Sequence, residues 1–266
     1  MLLNVTENPN GIQESVIRMK QMEFTYRAYA ELVQIIRESG YTVTSYQHCD
    51  IVDKPCILRH DVDFDIKKAV EFAEFEASMG IRSTYFILCS SKFYNLLDKD
   101  SINAVRTIHR LGHDIGLHFD ETNYSITKEN GFLASVRLEL EIMREVVKLP
   151  VQSVSMHRPS QETLMHNWNF KDLGGVINSY SEKYFREFKY LSDSRMYWRE
   201  NPFEAIADGR YPQLHILTHP FWYSESEEDT RSKLLHFVKQ ASFDRYNSMN
   251  DNFRDLQEFV SREELK

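Results

Sequence analysis

The sequence has few of the residues that mark disulfide-rich, zinc-finger or nucleotide-binding proteins. Its three cysteines, Cys49, Cys56 and Cys89, form neither a dense disulfide framework nor a close metal-finger spacing. No glycine-rich phosphate loop follows the first predicted strand, which argues against a nucleotide-binding fold. We therefore expect reduced, mostly buried cysteines in a chain long enough to fold around a large apolar core.

The sequence also lacks an excess of positive charge and a long apolar run. Its net charge of −8 would repel a phosphate backbone, so nucleic acid is not an expected partner. No segment approaches the roughly 20 apolar residues that span a bilayer, and no basic segment followed by an apolar run marks an export signal. These absences predict a cytoplasmic protein without a membrane span, and they leave its oligomeric state open.

Apolar residues alternate between strand-like and helix-like patterns. Helix-like spacing at residues 22–39 predicts a leading helix that ends before Gly40. Strands are predicted at residues 55–60, 82–89, 114–118, 151–157 and 213–219, and further helices at 65–79, 101–111, 130–147 and within 229–266. The alternation implies a mainly parallel sheet, in a barrel or in a doubly wound arrangement. We expect one domain over residues 1–266, with its core at about residues 56–222.

Two aspartates follow the first apolar strand. In extended backbone Asp61 and Asp63 lie on the same face, and Arg59 shares it as a candidate substrate-binding residue. Carboxylates this close require a cation, so one could hold a divalent metal while the other serves as a base. The alternative is a solvated turn in which Asp65 caps the next helix.

Histidines end two later strands. His118 lies at the carboxyl end of its strand, where α/β folds place their sites, and is a candidate metal ligand. His157 is a second candidate, although a histidine at a strand end often has only a structural hydrogen bond. His113 precedes its strand and is expected at the opposite end of the sheet. Arg158 could orient a carboxylate such as Asp61 through a bidentate pair.

The last predicted strand ends in His219, which is placed to donate a proton to a leaving group. Three aromatic residues follow it. Phe221, Trp222 and Tyr223 could form a platform that binds a sugar or an apolar lid over the end of the barrel, and the two do not exclude each other. Barrel closure would bring together the four strand ends that carry Asp, His, His and His.

Six segments stand out in order along the chain. They are Leu-Arg-His-Asp-Val-Asp at 58–63, Ser-Thr-Tyr-Phe-Ile at 83–87, Gly-His-Asp-Ile-Gly-Leu-His at 112–118, His-Arg-Pro-Ser at 157–160, Ser-Asp-Ser at 192–194 with Trp198, and Leu-Thr-His-Pro at 217–220. Together they resemble the motifs of the polysaccharide deacetylase superfamily, carbohydrate esterase family four, and of its branch in surface-polysaccharide and O-antigen gene clusters. The resemblance implies a deformed (β/α) barrel, a divalent ion that is commonly zinc, and hydrolysis of an N-acetyl group.

The resemblance also implies a role for five residues. Asp61 would be the general base, Asp63 and His118 metal ligands, Arg158 the residue that orients the base, and His219 the general acid. In such a site the metal polarises the amide carbonyl and activates water, and the acid protonates the departing amine.

The sequence departs from the family pattern at two positions. Val62 separates aspartates that are adjacent in the family, so the base and the ligand could be exchanged. Thr122 stands where the family has another histidine, which removes an expected metal ligand. We predict that His157 replaces it, with Asp120 as the local alternative. Two protein ligands alone would hold zinc poorly, so loss of activity is a competing interpretation.

The leading functional hypothesis is a metal-dependent amidohydrolase that removes an acetyl or formyl group from an amino-sugar intermediate of surface-polysaccharide synthesis. The cytoplasmic expectation favours a nucleotide-linked or lipid-linked sugar as its substrate, with Trp222 and Tyr223 in contact with the sugar. One competing hypothesis is a non-catalytic carbohydrate-binding or scaffolding protein on the same barrel. Another is a hydrolase of a small non-sugar amide.

Overall fold

The computed structural model describes residues 22–125, 129–166, 168, 170 and 173–265, which form strands alternating with helices. The strands are β1 Thr42–Thr44, β2 Pro55–Val62, β3 Thr84–Leu88, β4 Asp114–Phe119, β5 Val151–Met156, β6 Ile177–Asn178, β7 Lys189–Ser192 and β8 Leu214–Thr218. The helices are α1 Tyr26–Glu38, α2 Ile66–Ser78, α3 Lys99–Arg110, α4 Glu129–Val147, α5 Gln161–Met165, α6 Pro202–Ala207, α7 Thr230–Asn252 and α8 Leu256–Phe259.

All the strand pairs in the described residues are parallel and belong to one sheet. The strand order is β6-β5-β4-β3-β2-β8-β7, and β1 pairs with the first half of β2. The predicted strands and helices are present with ends shifted by a few residues. The short elements β1, β6, β7, α5 and α6 were not predicted, because segments this short carry little periodicity. Within the described ranges, no helix is both long and apolar enough to cross a membrane.

The sheet curls into an incomplete barrel. Arg59 of β2 donates a hydrogen bond to the Ser179 hydroxyl, which directly follows β6, at 2.9 Å. Four strand spacings of about 4.8 Å separate β2 from β6, so a flat sheet would hold them about 19 Å apart. An arginine side chain spans that gap only if the sheet curls. The described strands β6 and β7 do not pair, so the barrel is open there. The prediction of a deformed, mainly parallel (β/α) barrel is confirmed.

Side-chain alternation along the strands separates two apolar cores. The smaller core lies inside the barrel and includes Ile57 of β2 and Phe86 of β3, while the larger one lies between the sheet and the helices. Gly116 of β4 faces inward beneath Phe86, where an added Cβ would come within 2.4 Å of the ring. A glycine is required there because the interior is filled.

Local sequence signals set the ends of the first helices. The Thr25 side chain accepts a hydrogen bond from the Ala28 N–H and caps α1, and Asp65 caps α2 in the same way. Gly40 follows Ser39, the C-cap of α1, and its left-handed backbone, with φ of 79°, ends the helix. The capping role considered for Asp65 is therefore present, and it leaves Asp61 and Asp63 free for the barrel interior.

A fully buried carboxylate, Glu76 of α2, lies between the helices and the outer face of the sheet. It accepts hydrogen bonds from Tyr29, Ser83 and Tyr85 at 2.5–2.8 Å and contacts His60 Nε2 at 3.1 Å. Burial alone would raise the pKa of Glu76, but His60, His113 and the Ser83 hydroxyl outweigh it and lower the pKa to about 2.

We expect Glu76→Gln to lower the free energy of unfolding at pH 7 by about 3 kcal/mol, because the ionised group is matched to four donors. In the unfolded chain Glu76 has its ordinary pKa of 4.5, so its contribution is complete above that pH and is lost as the pH falls toward about 2. Urea unfolding of both proteins between pH 3 and pH 7 measures the difference. A difference that does not shrink on acidification contradicts an ionised Glu76.

Candidate functional site

The inward-facing side chains at the carboxyl ends of four strands converge on one small volume. Alternation along β2 directs Arg59, Asp61 and Asp63 inward, and β4 and β5 bring in His118 and His157. β8 adds a further histidine, His219, described below. The structure therefore assembles the Asp, His, His and His constellation that the sequence predicts.

Three ligand atoms form a nearly equilateral triangle. Asp63 Oδ1 lies 3.2 Å from His118 Nε2 and 3.3 Å from His157 Nδ1, and the two nitrogens are 3.2 Å apart. Ligands at the zinc distance of about 2.0–2.1 Å in a tetrahedron are themselves separated by about 3.3 Å. The three atoms thus have the spacing of one face of a tetrahedral metal site.

The chemistry of the triangle also fits a metal ion. Asp63 Oδ1 is buried without a hydrogen-bond partner among the described residues. Burial alone would raise the pKa of Asp63, but His118 and His157 beside it lower the pKa well below its ordinary value. A buried anionic oxygen that faces two imidazole nitrogens is a suitable set of donors for a divalent cation. His157 therefore stands where the third ligand was predicted.

Asp120, the alternative ligand, has a different role. Its Oδ1 accepts hydrogen bonds from the Thr122 N–H and hydroxyl, and its Oδ2 accepts one from Arg158. The candidate ligand cluster found among the described residues contains Asp63, His118 and His157 but not Asp120.

Asp61 is held by an arginine other than the predicted one. Arg59 Nη2 donates to Asp61 Oδ2 at 2.8 Å, and Ser155 lies 3.4 Å from Oδ1. Arg59 is fully buried, donates also to Ser179 and Tyr180, and so lies beneath the site. Burial alone would raise the pKa of Asp61, but the charge of Arg59 and those of two nearby histidines together outweigh burial and lower the pKa below its ordinary value. In this structure Arg59 is the counter-ion of Asp61, and its predicted contact with substrate stays a prediction.

The predicted pairing of Arg158 with Asp61 is not formed. Arg158 adopts left-handed backbone, with φ of 47°, directly after the end of β5 and His157. Its side chain is 64% exposed and pairs with Asp120 at 3.0 Å. The chain turns at Arg158, so its side chain does not follow the inward alternation of β5.

His219 is fixed by Asp193, a residue whose role the sequence left undecided. Asp193 Oδ1 lies 2.6 Å from His219 Nδ1, and its Oδ2 accepts the His219 backbone N–H at 3.0 Å. Nε2 of the ring points to the site, 3.7 Å from Asp63 Oδ2. Burial opposes the imidazolium, but Asp193 outweighs it and raises the pKa of His219 to about 9. The position of Asp193 directly after β7 was a usable signal, but β7 itself was not predicted.

Trp222 and Tyr223 do not form an exposed platform. Trp222 is 5% exposed and Tyr223 is fully buried. The Tyr223 ring packs against Phe24, Tyr29 and Phe72, with centroids 5.1–5.7 Å apart. Their burial agrees with the apolar lid, and a contact between these two residues and a sugar stays a prediction.

The site thus has one further polar group on each side of the triangle, Asp61 on one side and His219 on the other. Asp61 Oδ2 lies 3.7 Å from His118 Nε2, and His219 Nε2 lies 3.7 Å from the other oxygen of Asp63. A carboxylate held by a guanidinium and an imidazole held by a carboxylate can accept and donate a proton, respectively.

No protein-family model matches the chain, and no curated protein matches it. Among solved structures the chain is similar to the polysaccharide deacetylase Bc1974 from Bacillus cereus, with 16% identity, a TM-score of 0.44, and 71% of this chain and 89% of that chain covered. It is similar to a family 4 carbohydrate esterase from Bacillus anthracis, with 13% identity, a TM-score of 0.42, and 79% and 84% covered.

A third neighbour is BA3943, a CE4 family pseudoenzyme from Bacillus anthracis, with 11% identity and a TM-score of 0.44. The match covers 70% of this chain and 60% of that chain, so this chain spans less than two thirds of BA3943. At this level of similarity no residue's role is carried over from the neighbours.

We expect the purified protein to hold near one equivalent of zinc or a similar divalent ion after reconstitution. Asp63→Ala, His118→Ala and His157→Ala should each weaken binding by about 100-fold or more, because two protein ligands hold zinc poorly. Titration followed by elemental analysis measures this, with the exposed His236→Ala of α7 as the control. Full retention by His157→Ala would remove that residue from the centre, and no binding by the unaltered protein would contradict the centre itself.

The two arginines should differ in their effect on stability. We expect Arg59→Met to lower the free energy of unfolding by about 3–5 kcal/mol, because it leaves Asp61 buried without its counter-ion. Arg158→Ala should cost less than about 1 kcal/mol, because Arg158 is largely exposed and Asp120 keeps its two hydrogen bonds from Thr122. Urea unfolding at pH 7 measures both variants, and equal losses would contradict this account.

Proposed function

We propose that the chain is a metal-dependent amidohydrolase that removes an acetyl or formyl group from an amino sugar. The observation that carries the proposal is the Asp63–His118–His157 triangle, flanked by Asp61 on one side and by His219 on the other. Amide hydrolysis needs an electrophile at the carbonyl oxygen, a base for the attacking water and an acid for the departing amine. The site has a candidate for each.

Asp63, His118 and His157 would hold the metal. A divalent ion bound there would polarise the scissile carbonyl and lower the pKa of a water molecule. The spacing of the three ligand atoms and the unpaired Asp63 Oδ1 support this assignment. They also support Asp63 as the ligand and Asp61 as the base, because Asp63 is the aspartate that faces both imidazoles.

Asp61 would accept the proton of the attacking water. Its Oδ2 is oriented by Arg59, and Ser155 lies at Oδ1. The buried guanidinium keeps the carboxylate ionised and restricts its rotation, so that one oxygen stays directed at the site. Arg158 has no place in this step.

His219 would donate a proton to the departing amine from Nε2. Asp193 accepts a hydrogen bond from Nδ1–H, which fixes the ring and leaves Nε2 as the atom that exchanges a proton with the substrate. The second bond, from the His219 N–H to Asp193, fixes the backbone at the same position.

The substrate class rests on the sequence resemblance. We propose a nucleotide-linked or lipid-linked amino sugar of surface-polysaccharide synthesis as the substrate. A hydrolase of a small non-sugar amide is a second candidate, favoured by one observation: the aromatic residues expected to bind a sugar are buried. Acetate release from N-acetylhexosamines and from N-acetylated amino acids distinguishes the two.

We expect His219→Ala to lower turnover by about two to four orders of magnitude, because the amine then departs without a positioned acid. Metal content should be unchanged, since His219 is outside the ligand triangle. Steady-state acetate release by the metal-loaded proteins measures the effect, with the exposed His236→Ala as the control. Turnover equal to that of the unaltered enzyme would exclude His219 as the acid. A metal-loaded enzyme that cleaves neither amide class would contradict the proposed function.

A further inference from the structure

A second chain of hydrogen-bonding groups lies on the face of the sheet opposite the site. His60 of β2 contacts Glu76 through Nε2 at 3.1 Å and the Thr218 hydroxyl of β8 through Nδ1 at 2.6 Å. Nε2–H donates to the carboxylate, and Nδ1 shares a hydrogen bond with the Thr218 hydroxyl. We call Glu76, His60 and Thr218 the outer chain.

The outer chain has the order of groups of a nucleophile, a base and an orienting carboxylate, but its location excludes that chemistry. Glu76 and His60 are fully buried and Thr218 is 1% exposed, all beneath the helices. No substrate reaches the Thr218 hydroxyl there. The outer chain can therefore affect the site only through the strands that it joins.

The two joined residues immediately precede the proposed base and acid. His60 precedes Asp61 and Thr218 precedes His219, and the two are Cα partners in the parallel ladder of β2 and β8. Because side chains alternate along a strand, the outward His60 and Thr218 are matched by the inward Asp61 and His219.

The ladder between β2 and β8 ends at this pair. Its register runs from Cys56 with Leu214 to His60 with Thr218 and goes no further. The residue after His219 is Pro220, which has no N–H to extend the pairing. The side-chain hydrogen bond between His60 and Thr218 thus joins β2 to β8 at the last paired position, immediately before Asp61 and His219.

We propose that the outer chain is a positioning device that fixes the distance between the base and the acid, a role that rests on the proposed function. Glu76 of α2 accepts hydrogen bonds from Tyr29 of α1, from Tyr85 of β3 and from Ser83 just before β3, so His60 is anchored to three neighbouring elements, α1, α2 and β3. The hydrogen bond between His60 and Thr218 extends this network to the end of β8. Glu76, His60 and Thr218 are positioning residues, since none of them touches the site.

Thr218→Val tests the proposal, because valine keeps the shape of threonine and removes the hydroxyl. We expect kcat to fall by about 10-fold to 100-fold, since a shift of about 1 Å in reacting groups has effects of this size. KM and metal content should stay within about twofold of those of the unaltered enzyme. Thr218→Ser is the matched control: it keeps the hydroxyl, and kcat should be restored to within about threefold. These small factors are the scatter expected of conservative substitutions.

A purely structural role predicts a different result. Thr218→Val would then lower the midpoint of urea unfolding but leave kcat unchanged at urea concentrations well below that midpoint. That result would overturn the proposal. Equal losses of kcat in the Val and Ser variants also overturn it, because the methyl group and not the hydroxyl would then be responsible.

A readout independent of turnover separates this proposal from the proposed function. The imidazole ¹⁵N resonances of His219 report its bond to Asp193 and are measured without substrate. We expect them to shift in Thr218→Val and to stay in place in Thr218→Ser. That pattern in a protein that cleaves no amide rejects the function and supports the positioning. Unshifted resonances together with unchanged kcat in an active enzyme reject the positioning.

Discussion

The structure depends on ionisable groups that lie on both faces of strand β2 and directly after it, because groups shielded from water in this way must have fixed partners. Inward, Arg59 neutralises Asp61, while Asp63 faces two imidazoles. Outward, His60 meets Glu76. Unpaired charges in these positions would cost several kcal/mol each. The barrel is therefore stable only when the ends of β4 and β5 and the helix α2 supply the partners, and the position of β2 within the sheet is set by charge as well as by apolar packing.

Inside the barrel the same requirement produces the site. Asp61 and Asp63 are close enough to repel each other, and they differ in how that repulsion is offset. Asp61 has a guanidinium from its own strand, two residues away, and needs nothing else. Asp63 faces His118 and His157, with His219 at 3.7 Å, and one of its oxygens has no hydrogen-bond partner among the described residues. This asymmetry makes the two aspartates unequal: one is already compensated and can exchange a proton, and the other is suited to hold a cation.

The positions of side chains that are set by alternation along a strand could be predicted from the sequence. The positions of side chains that are set by packing between distant segments could not. Asp63, His118 and His157 meet because each is an inward residue at a strand end. Arg158 was assigned to Asp61 because the left-handed turn after His157 is not encoded in any residue type that favours it. Trp222 and Tyr223 looked like a platform because the rings that cover them come from distant segments. Glu76 had a signal: it occupies the apolar face of α2, seven residues after Ala69. A lone glutamate on such a face is more often exposed than buried, so that signal is weak.

Two faces of one sheet thus share the task of placing the reacting groups. The inner face carries groups that must remain free to exchange protons or hold an ion, so their bonds to each other are few. Arg59 orients Asp61, and Asp193 orients His219, but neither of these bonds joins β2 to β8. The outer face has no such limit, and Glu76 is bonded by side chains from α1, β2 and β3. Because neighbouring residues on a strand move together, rigidity on the outer face is transmitted to Asp61 by a single peptide unit. The open pairing lies between β6 and β7, the two edge strands, whereas β2, β4, β5 and β8, whose ends carry the site, are each paired on both sides.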